Sequence, residues 1–172
     1  TTSPHRFSAA VLADLRAAVP AEIAALPRPR IAVLLGGPNG DYRYTADDEQ
    51  RLTAALTKLA ASGAGLMITP SRRTPPALLN AINQATAACP RILWDGQSAN
   101  PYAAFLAHAD QFVVTADSVN MVGEAAATGR PVFVFTPAGR SAKFDRFHAA
   151  LRASGAARPL PDDFTSLPSW TY

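Results

Sequence analysis

The chain has 172 residues, 48% hydrophobic and 17% charged, which suits one domain with a packed core plus short appendages and argues against a disordered segment. Its net charge of +3, from 16 basic and 13 acidic side chains, is modest and scattered, which speaks against a nucleic-acid partner. A single cysteine, Cys89, excludes a disulfide framework and a multi-cysteine metal site, and no apolar run is long enough to span a membrane.

The opening residues TTSPHRFSAA carry no secretory pattern, and both ends read as cut from a longer protein. Phe7, Val11, Leu12, Leu15 and Val19 recur at helical spacing, and Pro27-Arg28-Pro29-Arg30 reads as a stiff connector. Residues 1–27 are therefore expected to form a helical appendage that packed on a first domain missing here. Residues 28–160 form the main domain, and residues 161–172 a tail without periodicity.

IAVLL, residues 31–35, is the first core strand, and it runs into Gly36-Gly37-Pro38-Asn39-Gly40-Asp41. Thr45 is a good helix N-cap, with Asp47, Asp48 and Glu49 at the positive helix start; Leu52, Leu56 and Leu59 face inward and Gly63 stops the helix. Residues 66–69 form the second strand and Pro70-Ser71-Arg72-Arg73 its loop. Thr74 is expected to cap the next helix, with Pro75 in its first position and Leu78, Leu79 and Ile82 inward. Residues 91–94 form the third strand, and Asn100-Pro101 starts a short helix carrying Phe105 and Leu106. The stretch QFVVTADSVNMVGEAAATGRPVFVFTP, residues 111–137, reads as buried strand, polar turn, helix, glycine stop and second buried strand. A helix with Phe144, Phe147 and Leu151 follows, and residues 157–160 make a short sixth strand.

This alternation predicts an α/β, Rossmann-like three-layer sandwich with a parallel sheet of five or six strands in the order 3-2-1-4-5. Strands one and four then meet at the topological switch point, and the loops at residues 36–41 and 115–120 face each other across one crevice, where ligands of such folds bind.

Gly36-Gly37 suits either a tight turn or the close approach of backbone amides to a phosphate. The dinucleotide fingerprint GxGxxG and the P-loop are both absent, and Thr69-Pro70-Ser71 offers no acid to a ribose. Asp117-Ser118-Val119-Asn120 at a helix start can cap it, present donors to a diphosphate, or do both. Glu124 lies in a largely apolar helix, either as a solvated surface group or as an acceptor for a ribose diol. Arg43, Arg72, Arg73, Arg140 and Lys143 flank loops that follow strands, as scattered surface or as a local anion site. His5 and His108 read as structural or surface; His148 reads as surface, or as the crevice rim. Asp95 is expected to brace the loop after strand three, and Cys89 to be inert.

Ser118…Glu124-Ala-Ala-Ala-Thr-Gly129-Arg-Pro131 followed by an apolar strand resembles the nucleotide-sugar-binding half of GT-B glycosyltransferases, including the transferase that adds N-acetylglucosamine to the peptidoglycan lipid intermediate. The pieces PRPRIAVLLGGPN, SRRTP, DGQSANPYAAFLAHAD, VTADSVNMVGEAAATGRPVFVF and SWTY are, more closely, similar to the Elm-type mitochondrial fission family. That family is regarded as GT-B-like and has many bacterial members; its plant members bring a dynamin-related GTPase to mitochondria. The resemblance implies the C-terminal, donor-binding domain of a glycosyltransferase-like protein. A nucleoside-diphosphate sugar would be its substrate, with no separate cofactor, held by Gly36, Gly37, Asn39, Arg72, Ser118, Asn120, Met121 and Glu124. Glu124 would take the ribose and the glycine loop the diphosphate. The catalytic base would come from the first domain, so the isolated domain would bind without turning over. A protein partner is expected besides the nucleotide sugar and that domain, and the location is cytoplasmic or peripheral to a membrane. Where GT-B enzymes often carry Gln or Asn to hold the sugar, this chain reads Asp145-Arg146-Phe147-His148. A non-catalytic GT-B-like interaction scaffold and an epimerase of the UDP-N-acetylglucosamine type are the alternatives.

Overall fold

The structure is a computed structural model that describes residues 7–172, so His5 lies outside the described residues. In chain order the strands are β1 (Arg30–Leu34), β2 (Tyr42–Arg43), β3 (Gly65–Thr69), β4 (Arg91–Leu93), β5 (Gln111–Thr115), β6 (Val132–Phe135), β7 (Ala138–Gly139) and β8 (Ala157–Pro159). The helices are α1 (Ala9–Arg16), α2 (Ala21–Ala24), α3 (Ala46–Ala61), α4 (Pro76–Thr86), α5 (Tyr102–His108), α6 (Val119–Ala127) and α7 (Ala142–Ala153).

Six strands form one parallel sheet in the order β4-β3-β1-β5-β6-β8. In the terms used for the sequence this is 3-2-1-4-5 with the sixth strand added at the edge. The central strands are continuous apolar runs because helices cover both faces. Alternation along them splits the core in two. Ala32, Leu34, Met67, Phe112, Val114 and Val132 face one cluster with Leu12, Ile23, Leu106, Val122 and Leu151 from α1, α2, α5, α6 and α7. Ile31, Val33, Leu66, Ile68, Val113 and Phe133 face the other, with Leu52, Leu56 and Leu59 of α3 and Leu78 and Ile82 of α4.

The first described helices belong to this core. Phe7, Leu12, Ile23 and Leu26 are buried in the first cluster, and Arg16 donates through Nε to the Ala107 carbonyl at 3.0 Å and through Nη2 to the Thr128 carbonyl at 3.3 Å. Of the helical-spaced apolar residues, Phe7, Leu12 and Leu15 pack in this cluster, and Val11 and Val19 are exposed. The tail is likewise a strap on the second face. Leu167 and Trp170 pack on that cluster, Trp170 meets Phe133 edge-on at 5.2 Å, and Gln111 Nε2 donates to the Leu167 and Pro168 carbonyls.

A two-stranded antiparallel ribbon, β2 with β7, lies outside the main sheet and was not expected. It is tied to α3 by Asp48, which completes a capping box with Thr45 and also accepts from the Ala138 N–H at 3.0 Å. Asp95 braces its loop as expected, one carboxylate oxygen accepting from Gln97 N, Ser98 N and Ser98 Oγ. Among the described residues, no helix is long and apolar enough to cross a membrane.

Candidate functional site

β1 and β5 lie side by side in parallel, with Leu34 opposite Val114, so the chain leaves both strands at the same edge of the sheet. There the two loops are bonded to each other. Gly36 N–H donates to Thr115 Oγ1 at 2.8 Å, and Gly37 N–H donates to Asp117 Oδ2 at 3.0 Å. Asn39 Nδ2 donates to the Asp117 carbonyl at 3.1 Å. A third loop, after β3, joins them: Arg73 reaches Asp117 Oδ2 with Nη2 at 3.3 Å and the Gly37 carbonyl with Nη1 at 3.1 Å. Tyr44 donates its hydroxyl to Asp117 Oδ1.

Asp117 is thus the hub of the switch point. Its side chain is 0% exposed whereas that of Arg73 is 41% exposed. A carboxylate so buried needs pairing and hydrogen bonds, and a backbone amide, a phenol and a guanidinium supply them. Burial, then the charge of Asp117, pushes the Tyr44 phenol well above the ordinary tyrosine range, so Tyr44 stays a donor.

The two glycines are explained by close approach, not by backbone sign, since neither has positive φ. A Cβ on Gly36 would lie 2.0 Å from Asp117 Oδ2, and one on Gly37 would lie 2.0 Å from the Arg73 carbonyl oxygen. Their amides, expected to face a diphosphate, are committed to Thr115 and Asp117 instead. Thr74 does not cap α4, where Pro75 holds the cap position; its hydroxyl donates to the Gly36 carbonyl at 2.6 Å and accepts from Ser71 N–H at 2.9 Å.

α6 starts directly after the hub. Ser118 caps it by accepting from Met121 N–H, so the positive end of the helix adjoins the crevice. Asn120 is exposed there, Met121 and Glu124 are half-buried further along α6, and Arg72 is exposed on its own loop. Of the arginine pair, the structure brings Arg73 to the junction, whereas the resemblance implies Arg72. Tyr44 carries no expectation from the sequence, Thr74 is expected only as a helix cap, and Thr115 only as the start of the polar turn. The available signal was the pair of polar residues, Thr115 at the end of β5 and Asp117 two residues on, after the apolar run Phe112-Val113-Val114.

His148 on α7 reaches the residue that follows β5. Its Nε2 lies 3.0 Å from the Ala116 carbonyl, which can only accept, so the proton sits on Nε2 and Nδ1 is bare in the neutral ring. Burial lowers its pKa, the Ala116 bond opposes this, and Arg152 lowers it further. Among the described residues no group of three or more His, Cys, Asp or Glu could hold a metal ion.

Fold and junction together define a doubly wound, Rossmann-like α/β domain with a built polar switch point. The chain belongs to the mitochondrial fission ELM1 family, whose profile, described as "Mitochondrial fission ELM1", matches residues 1–172. It is 36% identical over 173 residues to the mitochondrial fission protein ELM1 of Arabidopsis thaliana, an alignment that covers 100% of this chain and 40% of that protein. It is 32% identical over 146 residues to an uncharacterized protein of Rickettsia prowazekii (strain Madrid E), covering 82% of this chain and 41% of that protein. The chain therefore spans about two-fifths of the length of both curated relatives. Among solved structures it is similar to AnUbiX (PadA1) in complex with FMN and dimethylallyl pyrophosphate, with a TM-score of 0.49 and 14% identity over 78% of each chain. That likeness is too slight to carry any conclusion about ligand.

Proposed function

We propose that this chain is the nucleoside-diphosphate-sugar-binding domain of a GT-B-type, glycosyltransferase-like protein. The observation that carries the reading is the junction of residues 36–39 with residues 115–118 at the switch point, beside the capped start of α6. The role of Gly36 and Gly37 in it is to let the loops close on each other. The diphosphate is then met by the start of α6, with Ser118, Asn120 and Met121, and by the guanidinium of Arg73 or Arg72 on the neighbouring loop. Asn39 shapes the crevice wall through its bond to the Asp117 carbonyl. Glu124, on the same helix, takes the ribose diol. The catalytic base belongs to another part of a longer protein, in keeping with the relatives' greater length. Calorimetry with UDP, GDP and their sugars, on this domain and on the full-length protein, tests the reading. Saturable heat lost in Glu124→Ala supports it; no heat from any of them with either protein refutes it.

One observation favours a second reading, a non-catalytic scaffold. Gly36 donates to Thr115, and Gly37 and Tyr44 donate to Asp117, so the junction is complete without a ligand. The Arabidopsis relative is named for mitochondrial fission, and a scaffold would serve such a role through a protein partner. Glu124→Ala separates the two readings, because partner capture survives it and nucleotide binding does not.

A further inference from the structure

The second face of the sheet is covered by α3, by α4 and, beside them, by the tail, which packs Leu160, Phe164, Leu167 and Trp170 into that cluster. The tail does so without helix or strand. Its last sheet bond runs from the Leu160 N–H to the Val134 carbonyl at 2.9 Å. Beyond it, among the described residues, no main-chain group of residues 161–172 bonds another main-chain group. Side chains anchor the rest: Lys58 Nζ donates to the Asp162 carbonyl at 2.6 Å, and the Tyr172 hydroxyl donates to the Ala126 carbonyl at 2.9 Å.

Gln111, the first residue of β5, is 3% exposed and turns its amide to the tail. Its Nε2 donates to the Pro168 carbonyl at 2.9 Å and to the Leu167 carbonyl at 3.4 Å. Those two acceptors fix the orientation of the amide, since the flipped form would set oxygen against oxygen. Its Oε1 is then buried and accepts from no group. Pro168, which takes the amide, has no N–H to return. A buried acceptor without a donor is costly, so the tail fills the groove with side chains and leaves its backbone pairing half made. An extended segment with an ordinary residue at that place offers a C=O and an N–H together, and a carboxamide takes both.

We propose that the groove over Gln111, Phe133 and Arg158 is a docking surface for an extended peptide segment of a protein partner, which displaces the tail. The tail itself shows what fits. Such a segment carries an apolar residue and, three places on, an aromatic one, as Leu167 and Trp170 do, with a residue other than proline directly after the first. The N–H of that residue meets Gln111 Oε1, and the aromatic ring takes the place of Trp170 between Phe133 and the Arg158 guanidinium. Release of the tail beyond Leu160 breaks no sheet bond. The surface starts at the opposite end of β5 from Asp117, so the inference stands whether or not a nucleotide sugar binds at the junction.

The test uses the full chain and two labelled synthetic peptides of residues 161–172, one with the native sequence and one carrying Pro168→Ala, followed by fluorescence anisotropy. The expected result is saturable binding of both, with the Pro168→Ala peptide about fivefold tighter. Gln111→Leu in the chain removes that preference, and Trp170→Ala in the chain, which weakens the competing tail, tightens both peptides by at least about tenfold. Should either variant fail to fold, Pro168→Ala in the full chain keeps the question open to measurement. The new amide at residue 168 is then protected from hydrogen exchange by Gln111 Oε1, and the chain binds both peptides more weakly. Equal affinity of the two peptides for the parent chain, or an unprotected amide at residue 168, means that solvent serves Oε1 and overturns the proposal. So does the absence of saturable binding at millimolar peptide to the parent and to the Trp170→Ala chain.

Discussion

Gly37 and Asp117 are separated by 80 positions, and the Gly37 N–H donates to Asp117 Oδ2 at 3.0 Å. The bond joins the ends of β1 and β5, and Arg73 and Tyr44 converge on the same carboxylate. Asp117→Ala leaves an amide, a phenol and a guanidinium without their acceptor, which is expected to cost about 2–4 kcal/mol. Asp117→Asn keeps one acceptor but turns an NH₂ toward groups that are themselves donors, so it also destabilises. Urea unfolding gives the magnitude, and hydrogen exchange at Gly37 gives the location. A loss under about 0.5 kcal/mol for Asp117→Ala would mean that the junction contributes little.

The two junction glycines predict a graded response to alanine. At Gly37 the new methyl would lie 2.0 Å from a backbone oxygen, which cannot move without shifting the loop after β3. At Gly36 it meets the buried Asp117 carboxylate, also at 2.0 Å. At Gly40 nothing lies within 4 Å. Gly37→Ala is expected to destabilise by about 2–4 kcal/mol, Gly36→Ala by a comparable amount, and Gly40→Ala by less than about 0.5 kcal/mol. Equal thermal midpoints for Gly37→Ala and Gly40→Ala would contradict the close-approach account.

The sheet order was legible because each central strand is a mainly apolar run and each crossover carries a helix, three of them ended by a glycine, Gly63, Gly129 and Gly155. Helix starts were legible where the cap acts locally: the Thr45 and Ser118 side chains each accept an amide three residues on. Thr74 failed as a cap because its hydroxyl is spent on Gly36, 38 residues away. The same cause hid the hub. Asp117 acts through side-chain bonds to three distant loops, and such bonds leave no period in the sequence. Choosing between Arg72 and Arg73 needed the direction of each side chain, which an adjacent pair does not encode. The β2–β7 ribbon and the tail strap are too short or too irregular to show a pattern, so the tail's burial rests on single residues such as Trp170.

His148 gives the domain a pH-dependent component of stability with a defined sign. Burial holds its pKa below the ordinary imidazole value of about 6.5, so between these two values the unfolded chain binds more protons than the folded one. Stability contributed by the neutral ring is therefore full above about pH 6.5 and is lost as the pH falls through the lowered folded value. His148→Gln retains an N–H for the Ala116 carbonyl but does not titrate. Subtracting its unfolding free energy from that of the parent, at several pH values, isolates the effect because the other histidines are common to both proteins. A difference that stays flat from neutral to mildly acidic pH contradicts the burial argument.

Trp170 offers the sharpest test of the strap. Its ring packs edge-on against Phe133 at 5.2 Å, its indole N–H donates to the Gly155 carbonyl at 2.6 Å, and Arg158 lies on its face. Trp170→Ala removes all three contacts and uncovers an otherwise buried phenylalanine, for an expected loss of about 2–4 kcal/mol. Trp170→Phe keeps most of the packing and the cation contact but forfeits the N–H, which costs about 1 kcal/mol. Neither change touches the Asp117 junction, so amide exchange at Gly37 should track global stability only, while exchange at Gly155 and along β8 accelerates beyond it. If Trp170→Ala unfolds at the parent's urea midpoint, the tail is a loose end resting on the sheet. A midpoint lowered in both variants, in the stated order, means that the last residues close the second core.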